Sequence, residues 1–263
     1  MFEPPIDLSS ARILITNDDG INAPGLRVLE RVAQDFSQDV WVVAPETEQS
    51  GTGHSLTLSR PLRHRQLADR RHAVNGSPTD CVLFAIAHIM DGRKPDLVLS
   101  GVNRGGNLGE DITYSGTVAA AMEATLLGVP AIAFSQVTGA AGQPVHWGTA
   151  ERHAADILRM LTSVAWPKDV FMNVNFPDRL ADETTGIRIV AQGRRESDYN
   201  LIALTDPRGN DYYWIGPQQF GALLRKDDTD YHAIADGAVS VTPLHVDLTH
   251  DATLKRLRET FSE

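Results

Sequence analysis

The sequence is poor in cysteine and in long apolar runs. Cys81 is the only cysteine among 263 residues, so no disulfide can form within the chain, and a reducing, cytoplasmic location is expected. No apolar run approaches the roughly 20 residues that a membrane-spanning helix needs. The first residues, MFEPPIDLSSAR, have neither the basic start nor the apolar stretch of a secretory signal. The sequence therefore predicts a protein with no membrane partner.

Positive charge is also scarce. The chain has 24 basic and 34 acidic side chains, a formal net charge of −10. A protein that binds duplex DNA needs clustered cations to displace counterions from the phosphates, so duplex nucleic acid is not an expected partner. Small phosphorylated ligands remain compatible, because a metal ion and backbone N–H groups supply local positive charge in an acidic protein.

Short apolar runs alternate with helical patterns along much of the chain. Strand-like runs begin near Arg12, Asp39, Asp96 and Ala131, and two shorter ones lie around Leu62 and Ala73. Helical patterns begin near Pro24, Ser77, Ser115 and Thr149. This order predicts an α/β fold, a Rossmann-like and mostly parallel sheet with helices on both faces. Ligands bind beyond the carboxyl ends of such strands, so we expect the loops NDDG, PETEQSG and GVNRGGN to meet at that edge.

The character of the sequence divides the chain into three parts. Residues 1 to 10 predict a flexible N-terminal extension, residues 11 to 177 the α/β core, and residues 178 to 263 a C-terminal arm with a closing helix. The arm contains prolines, including Pro217, many charges and strand-like runs such as NDYYWIG, which is typical of β-hairpins. A hairpin that cannot enclose its own apolar face often docks on a partner subunit, so a homo-oligomer is expected.

Asp18 and Asp19 follow the first predicted strand directly. Two adjacent carboxylates repel each other unless a cation or a shared proton lies between them. A hard divalent metal with oxygen ligands meets that requirement. A plain turn is the alternative interpretation, because Asn, Asp and Gly are the usual residues of turns.

A second cluster follows the strand DLVLS. GVNRGGN places Asn103 and Asn107 in a glycine-rich loop, where amide oxygens can complete an oxygen-rich metal shell. Ser115, Gly116 and Thr117 then begin a long helix, and a helix N-terminus with free N–H groups binds anions. Ser115 on its own also fits a simple N-cap. A loop with metal-ligand residues lies close in sequence to a helix start that can bind an anion, and this combination favours a phosphate site.

Four segments together resemble the SurE family of survival-protein nucleotidases. They are ILITNDDG, VVAPETEQSGTGHS, SGVNRGGNLGEDITYSGTVAAAMEA and VSVTPLHVDLT, in that order from about Ala11 onwards. The resemblance implies a metal-dependent phosphomonoesterase, a 5′-nucleotidase that hydrolyses nucleoside 5′-monophosphates to nucleoside and phosphate. It leaves 3′-nucleotides and short polyphosphate as further candidate substrates. It also implies one divalent metal ion per subunit, Mg²⁺ or Mn²⁺.

The resemblance also assigns roles to residues. Asp18 and Asp19 match the family's metal-binding and catalytic aspartates, and Ser50 and Asn103 match its other two metal ligands. The phosphate pocket is matched by Asn107, Ser115, Gly116 and Thr117. A C-terminal hairpin and helix exchanged between subunits would give a dimer or a tetramer, which agrees with the expected homo-oligomer.

Several alternatives stay open or are excluded at this point. Either a water molecule or one of the two aspartates could attack the phosphorus. A dehalogenase-type phosphatase needs two aspartates separated by one residue, whereas these are adjacent. A dinucleotide oxidoreductase needs GxGxxG after the first strand, and NDDGINAPG does not supply it. A regulator that binds metal and nucleotide without turnover remains open.

Some residues have a weaker claim to the site. His54 lies in the polar loop after the second strand and could reach the substrate or act as an acid for the leaving group. Arg104, Arg194 and Arg195 could contact phosphate or base, although solvation is the usual state of surface arginines. Trp214 could stack on a base, but packing between subunits is the preferred interpretation.

Overall fold

The computed structural model describes residues 2, 6–140, 142–198, 200–216, 219–224 and 228–261, so Pro217 lies outside the described residues. The strands are β1 (Arg12–Thr16), β2 (Asp39–Pro45), β3 (His64–Ala68), β4 (Arg71–Val74), β5 (Leu97–Arg104), β6 (Ala131–Gln136), β7 (Val170–Phe176), β8 (Ile187–Ile189), β9 (Arg195–Asp198), β10 (Leu201–Thr205), β11 (Asp211–Ile215), β12 (Gln219–Leu223) and β13 (Val239–His245). The α-helices are α1 (Pro24–Gln34), α2 (Pro78–Phe84), α3 (Gly116–Leu126), α4 (Trp147–Thr162), α5 (Asp230–Ala235) and α6 (Asp251–Phe261).

The main sheet has nine strands in the order β3-β4-β2-β1-β5-β6-β7-β13-β8. Within this order, the six strands β4-β2-β1-β5-β6-β7 are parallel to one another. The pairs β3–β4 and β7–β13 are antiparallel. Helices cover both faces of the sheet. The prediction of a Rossmann-like, mostly parallel α/β fold is therefore confirmed.

Successive side chains of β1 point to opposite faces of the sheet and are buried on both, which explains the central position of this strand. Ile13 and Ile15 are fully buried in the core cluster shared with α1 and α4, while Leu14 is buried in the cluster shared with α2 and α3. Each such aliphatic side chain stabilises the fold by about 1.5–3 kcal/mol. Both faces of β1 are thus covered, and the polar residues after Thr16 lie at the carboxyl edge of the sheet.

Strand β5 is longer than its apolar run predicts, because it continues through GVNR to Arg104. Gly101 has a φ of 132°, and a Cβ atom there would come within 2.2 Å of Phe134 O on β6. Only glycine lets β5 pass β6 this closely. The placement of Asn103 in a loop is therefore wrong, because Asn103 lies near the end of the strand.

The described part of residues 1 to 10 contacts the core. The ring of Phe2 lies edge-to-face on Trp166 with 6.2 Å between the ring centroids, and Ile6 N donates to Thr162 O at 3.0 Å. Leu8 is buried in the same core cluster. The flexibility of this extension stays a prediction, and residues 1 and 3–5 lie outside the described residues.

The region after residue 177 differs from the predicted division in one respect. Strands β8 and β13 belong to the nine-stranded sheet, because β13 carries the buried residues Val239 and Val241 into the core. The pairs β10–β11 and β9–β12 form separate two-stranded ladders, and α6 follows β13. In the described part of the chain, no helix combines the length and the apolarity that crossing a membrane requires.

Candidate functional site

The two aspartates lie at the carboxyl edge of the sheet, directly after β1. Asp18 is buried, and its Oδ1 accepts a hydrogen bond from Thr117 Oγ1 at the start of α3. Asp19 is half-buried, and its Oδ2 accepts a hydrogen bond from Arg104 N at 2.9 Å. The aspartate pair is thus fixed between the end of β5 and the N-terminus of α3.

Burial makes this pair electrostatically costly. Desolvation raises the pKa of Asp18 to about 6; the hydroxyl of Thr117 opposes that shift and the charge of Asp19 adds to it. Desolvation also raises the pKa of Asp19, while the backbone N–H and the charge of Arg104 lower it and the charge of Glu48 raises it. A divalent cation beside both carboxylates would favour their charged forms. The pair therefore offers oxygen ligands to a cation, and a cation would offset the cost of burying the two negative charges.

Gly116 makes room for this arrangement. A Cβ atom on Gly116 would lie 2.8 Å from Asp18 Cβ, 3.1 Å from Asp18 Oδ2 and 3.0 Å from Pro78 Cγ. The first turn of α3 therefore packs directly on the Asp18 side chain. Ser115 Oγ accepts a hydrogen bond from Val118 N at 3.1 Å, so Ser115 is the N-cap of α3. Its contact with phosphate stays a prediction.

The segment between β2 and β3, here called the serine loop (residues 46–63), also reaches the aspartates. Gln49 N donates to Asp18 O at 2.8 Å. Ser50 is therefore the next residue in the chain after one that contacts the aspartate pair. Ser50 is exposed, and its Oγ donates to Glu48 Oε1 at 2.8 Å. Because that bond uses the hydroxyl proton, the lone pairs of Ser50 Oγ remain available to a cation.

Three further contacts fasten the serine loop to the helices behind the site. Thr57 N and Oγ1 donate to the two carboxylate oxygens of the buried Asp80 at 2.9 and 2.6 Å. His54 Nε2 lies 2.7 Å from Oε2 of the buried Glu123 on α3. His54 therefore helps to attach the serine loop to α3, and its role as an acid for a leaving group stays a prediction.

Asn103 and Asn107 have different surroundings. Asn103 Nδ2 donates to Gly105 O at 2.9 Å, which leaves its Oδ1 able to accept from a donor or a cation. Asn107 is buried; its N donates to Asn175 Oδ1 at 2.8 Å and its Nδ2 to Ser135 Oγ at 2.7 Å. Asn107 thus anchors the loop on β6 and β7, and its contact with phosphate stays a prediction.

The predicted loops therefore converge on Asp18 and Asp19. The chain neighbours of Ser50 and Asn103, namely Gln49 and Arg104, each donate a backbone hydrogen bond to one aspartate. Within the described ranges, no three side chains of His, Cys, Asp or Glu are grouped as metal ligands. A cation at the pair would consequently need neutral oxygens from serine and asparagine.

A cavity of about 310 Å³ opens beside Asp19, here called the Trp147 cavity. Its lining residues are Asp19, Ala23, Pro24, Glu48, Arg104, Val145 and Trp147. The sequence did not indicate Val145 or Trp147 as site residues. Val145 lies just before α4 and Trp147 begins it, far along the chain from the motif loops. A larger cavity of about 600 Å³ lies beside Asp96 and Pro130, at the amino ends of β5 and β6, away from this chemistry.

The base of the arm is joined to the loop that follows the asparagines. The guanidinium of Arg195 contacts the carboxylates of Glu110 and Asp111 at 3.0 and 2.7 Å. Buried Asp230 accepts hydrogen bonds from Gly109 N and Gly193 N, both at 2.8 Å. Arg195 thus holds the start of the arm beside the site loop instead of facing a ligand through solvent.

Known proteins match nearly the whole chain. The family model described as survival protein SurE matches residues 13–199. The 5′-nucleotidase SurE of Paramagnetospirillum magneticum is 57% identical over 260 residues, which cover 99% of both chains. That of Parvibaculum lavamentivorans is 52% identical over 256 residues, which cover 95% of this chain and 91% of the relative.

A solved structure has the same fold. The crystal structure of the SurE protein from Aquifex aeolicus superposes with a TM-score of 0.81 at 39% sequence identity, and the match covers 94% of this chain and 98% of that chain. The resemblance on the motif segments is thereby confirmed along nearly the whole chain, and this protein belongs to the SurE family.

Proposed function

We propose that this chain is a 5′-nucleotidase, which hydrolyses nucleoside 5′-monophosphates to nucleoside and phosphate. One observation carries the proposal: buried Asp18, next to Asp19 in the chain, packs against the N-terminus of α3, where a helix offers N–H groups to an anion. The relatives that match nearly the full length are 5′-nucleotidases by name, which supports the same reaction here.

We further propose one divalent cation per subunit, Mg²⁺ or Mn²⁺. Its ligands would be Asp18, Asp19, Ser50 and Asn103, whose oxygens fit a hard cation. When bound, such an ion neutralises charge on the phosphoryl oxygens and lowers the pKa of a water molecule. The raised pKa of Asp18 supports this assignment, because that burial cost falls when a cation is present.

The chain's own residues orient the reactants. The phosphate lies at the start of α3, where the N–H groups of Gly116 and Thr117 face an anion, and the loop of Asn107 borders it. The hydroxyl of Thr117 holds Asp18, and the backbone of Arg104 holds Asp19, so neither carboxylate must reorganise during the reaction. Water attacks phosphorus in line, the P–O bond to the 5′ oxygen breaks, and the 5′ oxygen takes up a proton. Attack by an aspartate is the alternative route.

Phosphate release tests the proposal directly. The protein is incubated with AMP, GMP, CMP or UMP in Mn²⁺, in Mg²⁺ or in EDTA, and free phosphate is measured. We expect phosphate from 5′-monophosphates with metal and none in EDTA. No phosphate under any condition, with nucleotide binding retained, would identify a binding protein without turnover. Adding 3′-nucleotides and short polyphosphate to the panel defines the range of substrates.

A homo-oligomer, a dimer or a tetramer, is part of the same proposal. In the β10–β11 hairpin, four of the five described residue pairs carry exposed large apolar side chains, Trp214 and Ile215 among them. An isolated hairpin with such a surface is marginal in water, which supports its docking on a second subunit. A cytoplasmic location is also proposed, in line with the unpaired and buried Cys81.

A further inference from the structure

The Trp147 cavity begins where the phosphate site ends. Asp19 belongs to both, because it is one of the proposed cation ligands and also lines the cavity. The volume of about 310 Å³ is in the range of ligand pockets, which begin near about 300 Å³. Whatever is attached to a phosphate at the aspartates therefore has a compartment beside it.

The far walls of this cavity are apolar. Pro24, Val145 and Trp147 line it, and the indole is half-buried with only part of its surface accessible. The ring packs closely on Gly25, where a Cβ atom would lie 2.8 Å from Trp147 Cζ3. A fixed aromatic ring next to aliphatic groups suits a flat heterocycle, which stacks by its face whatever its edge carries.

The near end of the cavity is polar and charged. Glu48 and Arg104 line it together with Asp19, and Arg104 N donates a hydrogen bond to Asp19 Oδ2 at 2.9 Å. A carboxylate repels a phosphate dianion but accepts hydrogen bonds from a pair of hydroxyl groups. Glu48 is therefore the lining carboxylate, besides Asp19, that can accept hydrogen bonds from the hydroxyls of a sugar.

We propose that the Trp147 cavity is the nucleoside subsite, with the base packed on Trp147 and Val145 and the ribose 2′- and 3′-hydroxyls donating to Glu48. This inference rests on the proposed function and adds which part of the chain recognises the nucleoside.

The subsite has consequences for specificity. Because its walls act through stacking and apolar contact, all four bases are accepted and purines bind more tightly than pyrimidines. Because Glu48 reads the sugar, ribonucleotides are preferred over 2′-deoxyribonucleotides. The base is the group that separates a nucleotide from ribose 5-phosphate, so wild-type kcat/KM for AMP exceeds that for ribose 5-phosphate.

Paired variants and paired substrates test the subsite. In Val145→Asp, a carboxylate enters the cavity, and we expect the ratio of kcat/KM for AMP to that for ribose 5-phosphate to fall about tenfold. Val164→Asp makes the same change at an exposed position on the core and should keep the wild-type ratio. In Glu48→Gln, the ratio of kcat/KM for AMP to that for 2′-deoxy-AMP should fall towards one. An unchanged AMP ratio in Val145→Asp would overturn the proposal.

A binding measurement separates this proposal from the catalytic one. Adenosine, which lacks the phosphate, should quench tryptophan fluorescence in the wild type, and the quenching should be lost in Val145→Asp. Trp147→Phe keeps an aromatic face, so it should lose the quenching signal but retain the KM for AMP. If no substrate releases phosphate but adenosine still quenches, the proposed activity fails and the subsite stands. If AMP is hydrolysed without quenching by adenosine, the subsite fails and the activity stands.

Discussion

The carboxyl edge of the core and the β10–β11 hairpin are built in opposite ways. At the edge, Asp18 is 4% exposed, and hydrogen bonds from α3, β5 and the serine loop hold the aspartate pair. In the hairpin, Trp214 is 63% and Ile215 is 75% exposed, and the two strands pair only with each other among the described residues.

This difference separates a region that is packed within the chain from one that is exposed. The site is assembled by contacts within one chain, so its chemistry depends on single side chains and on close packing. The hairpin leaves apolar surface exposed, which is the observation behind the proposed contact with a second subunit. Four experiments probe the two halves of this comparison.

The largest effect is expected at the aspartate pair. Asp19→Asn removes one anionic ligand and its charge stabilisation, so kcat/KM for AMP should fall by about 10³-fold or more at saturating metal. Asp69→Asn changes a side chain that is 94% exposed and should keep full activity. Thermal unfolding of both variants should match the wild type. Comparable turnover in a folded Asp19→Asn protein would refute the assignment.

The second effect concerns the hairpin. Trp214→Ser combined with Ile215→Ser removes two exposed apolar side chains that we assign to a subunit interface, and the dissociation constant should rise about 100-fold. Leu126→Ser combined with Val164→Ser removes exposed apolar residues from the core and should leave assembly unchanged. Light scattering over a concentration series measures both. A fully active wild-type monomer of 28.7 kDa would end the proposal of subunit exchange.

The third effect tests how tightly the site is packed. In Gly116→Ala, the new methyl group meets Asp18 Cβ at 2.8 Å, so the carboxylate must shift. Such displacements lower activity about 10- to 100-fold, which a kcat/KM measurement detects. Gly148→Ala is the matched control, because nothing lies within 4 Å of its added methyl group. Equal activity in the two variants would show that the site tolerates more movement than its packing indicates.

The smallest effect is expected at an exposed contact of the core. The pKa of His245 is raised by the backbone carbonyl of Asp247 and by the carboxylate of Asp169, 2.7 Å from Nε2. Its stabilisation is therefore fully present below the ordinary histidine pKa and is lost as the pH rises through the raised value. Water screens both side chains, so the change is about 0.5 kcal/mol or less. Melting temperatures between pH 5.5 and 8.5 should show it, and Asp169→Asn should reduce it, because the contact between His245 and the Asp247 carbonyl remains.

Local patterns in the sequence were sufficient for most of the elements. The apolar run of β1, the capping box of Ser77 and Asp80 and the small residues of α3 each specify their element through short-range physics. The extension of β5 to Arg104 could not be predicted, because it depends on how closely Gly101 passes β6. The membership of β8 and β13 in the main sheet likewise depends on pairing between distant segments.

The sequence by itself determined the motif loops and the residue types of the site. Strand-end carboxylates, glycine-rich loops and a capped helix start are local signals, and parallel strands bring their carboxyl ends to one edge. Only the tertiary structure decided that Thr117 and Arg104 hold the aspartates, that Glu123 receives His54, and that Trp147 walls the neighbouring cavity. Those contacts join residues far apart in the chain, and the raised pKa values of Asp18 and Asp19 come from burial that only the fold creates, so no local pattern in the sequence encodes them.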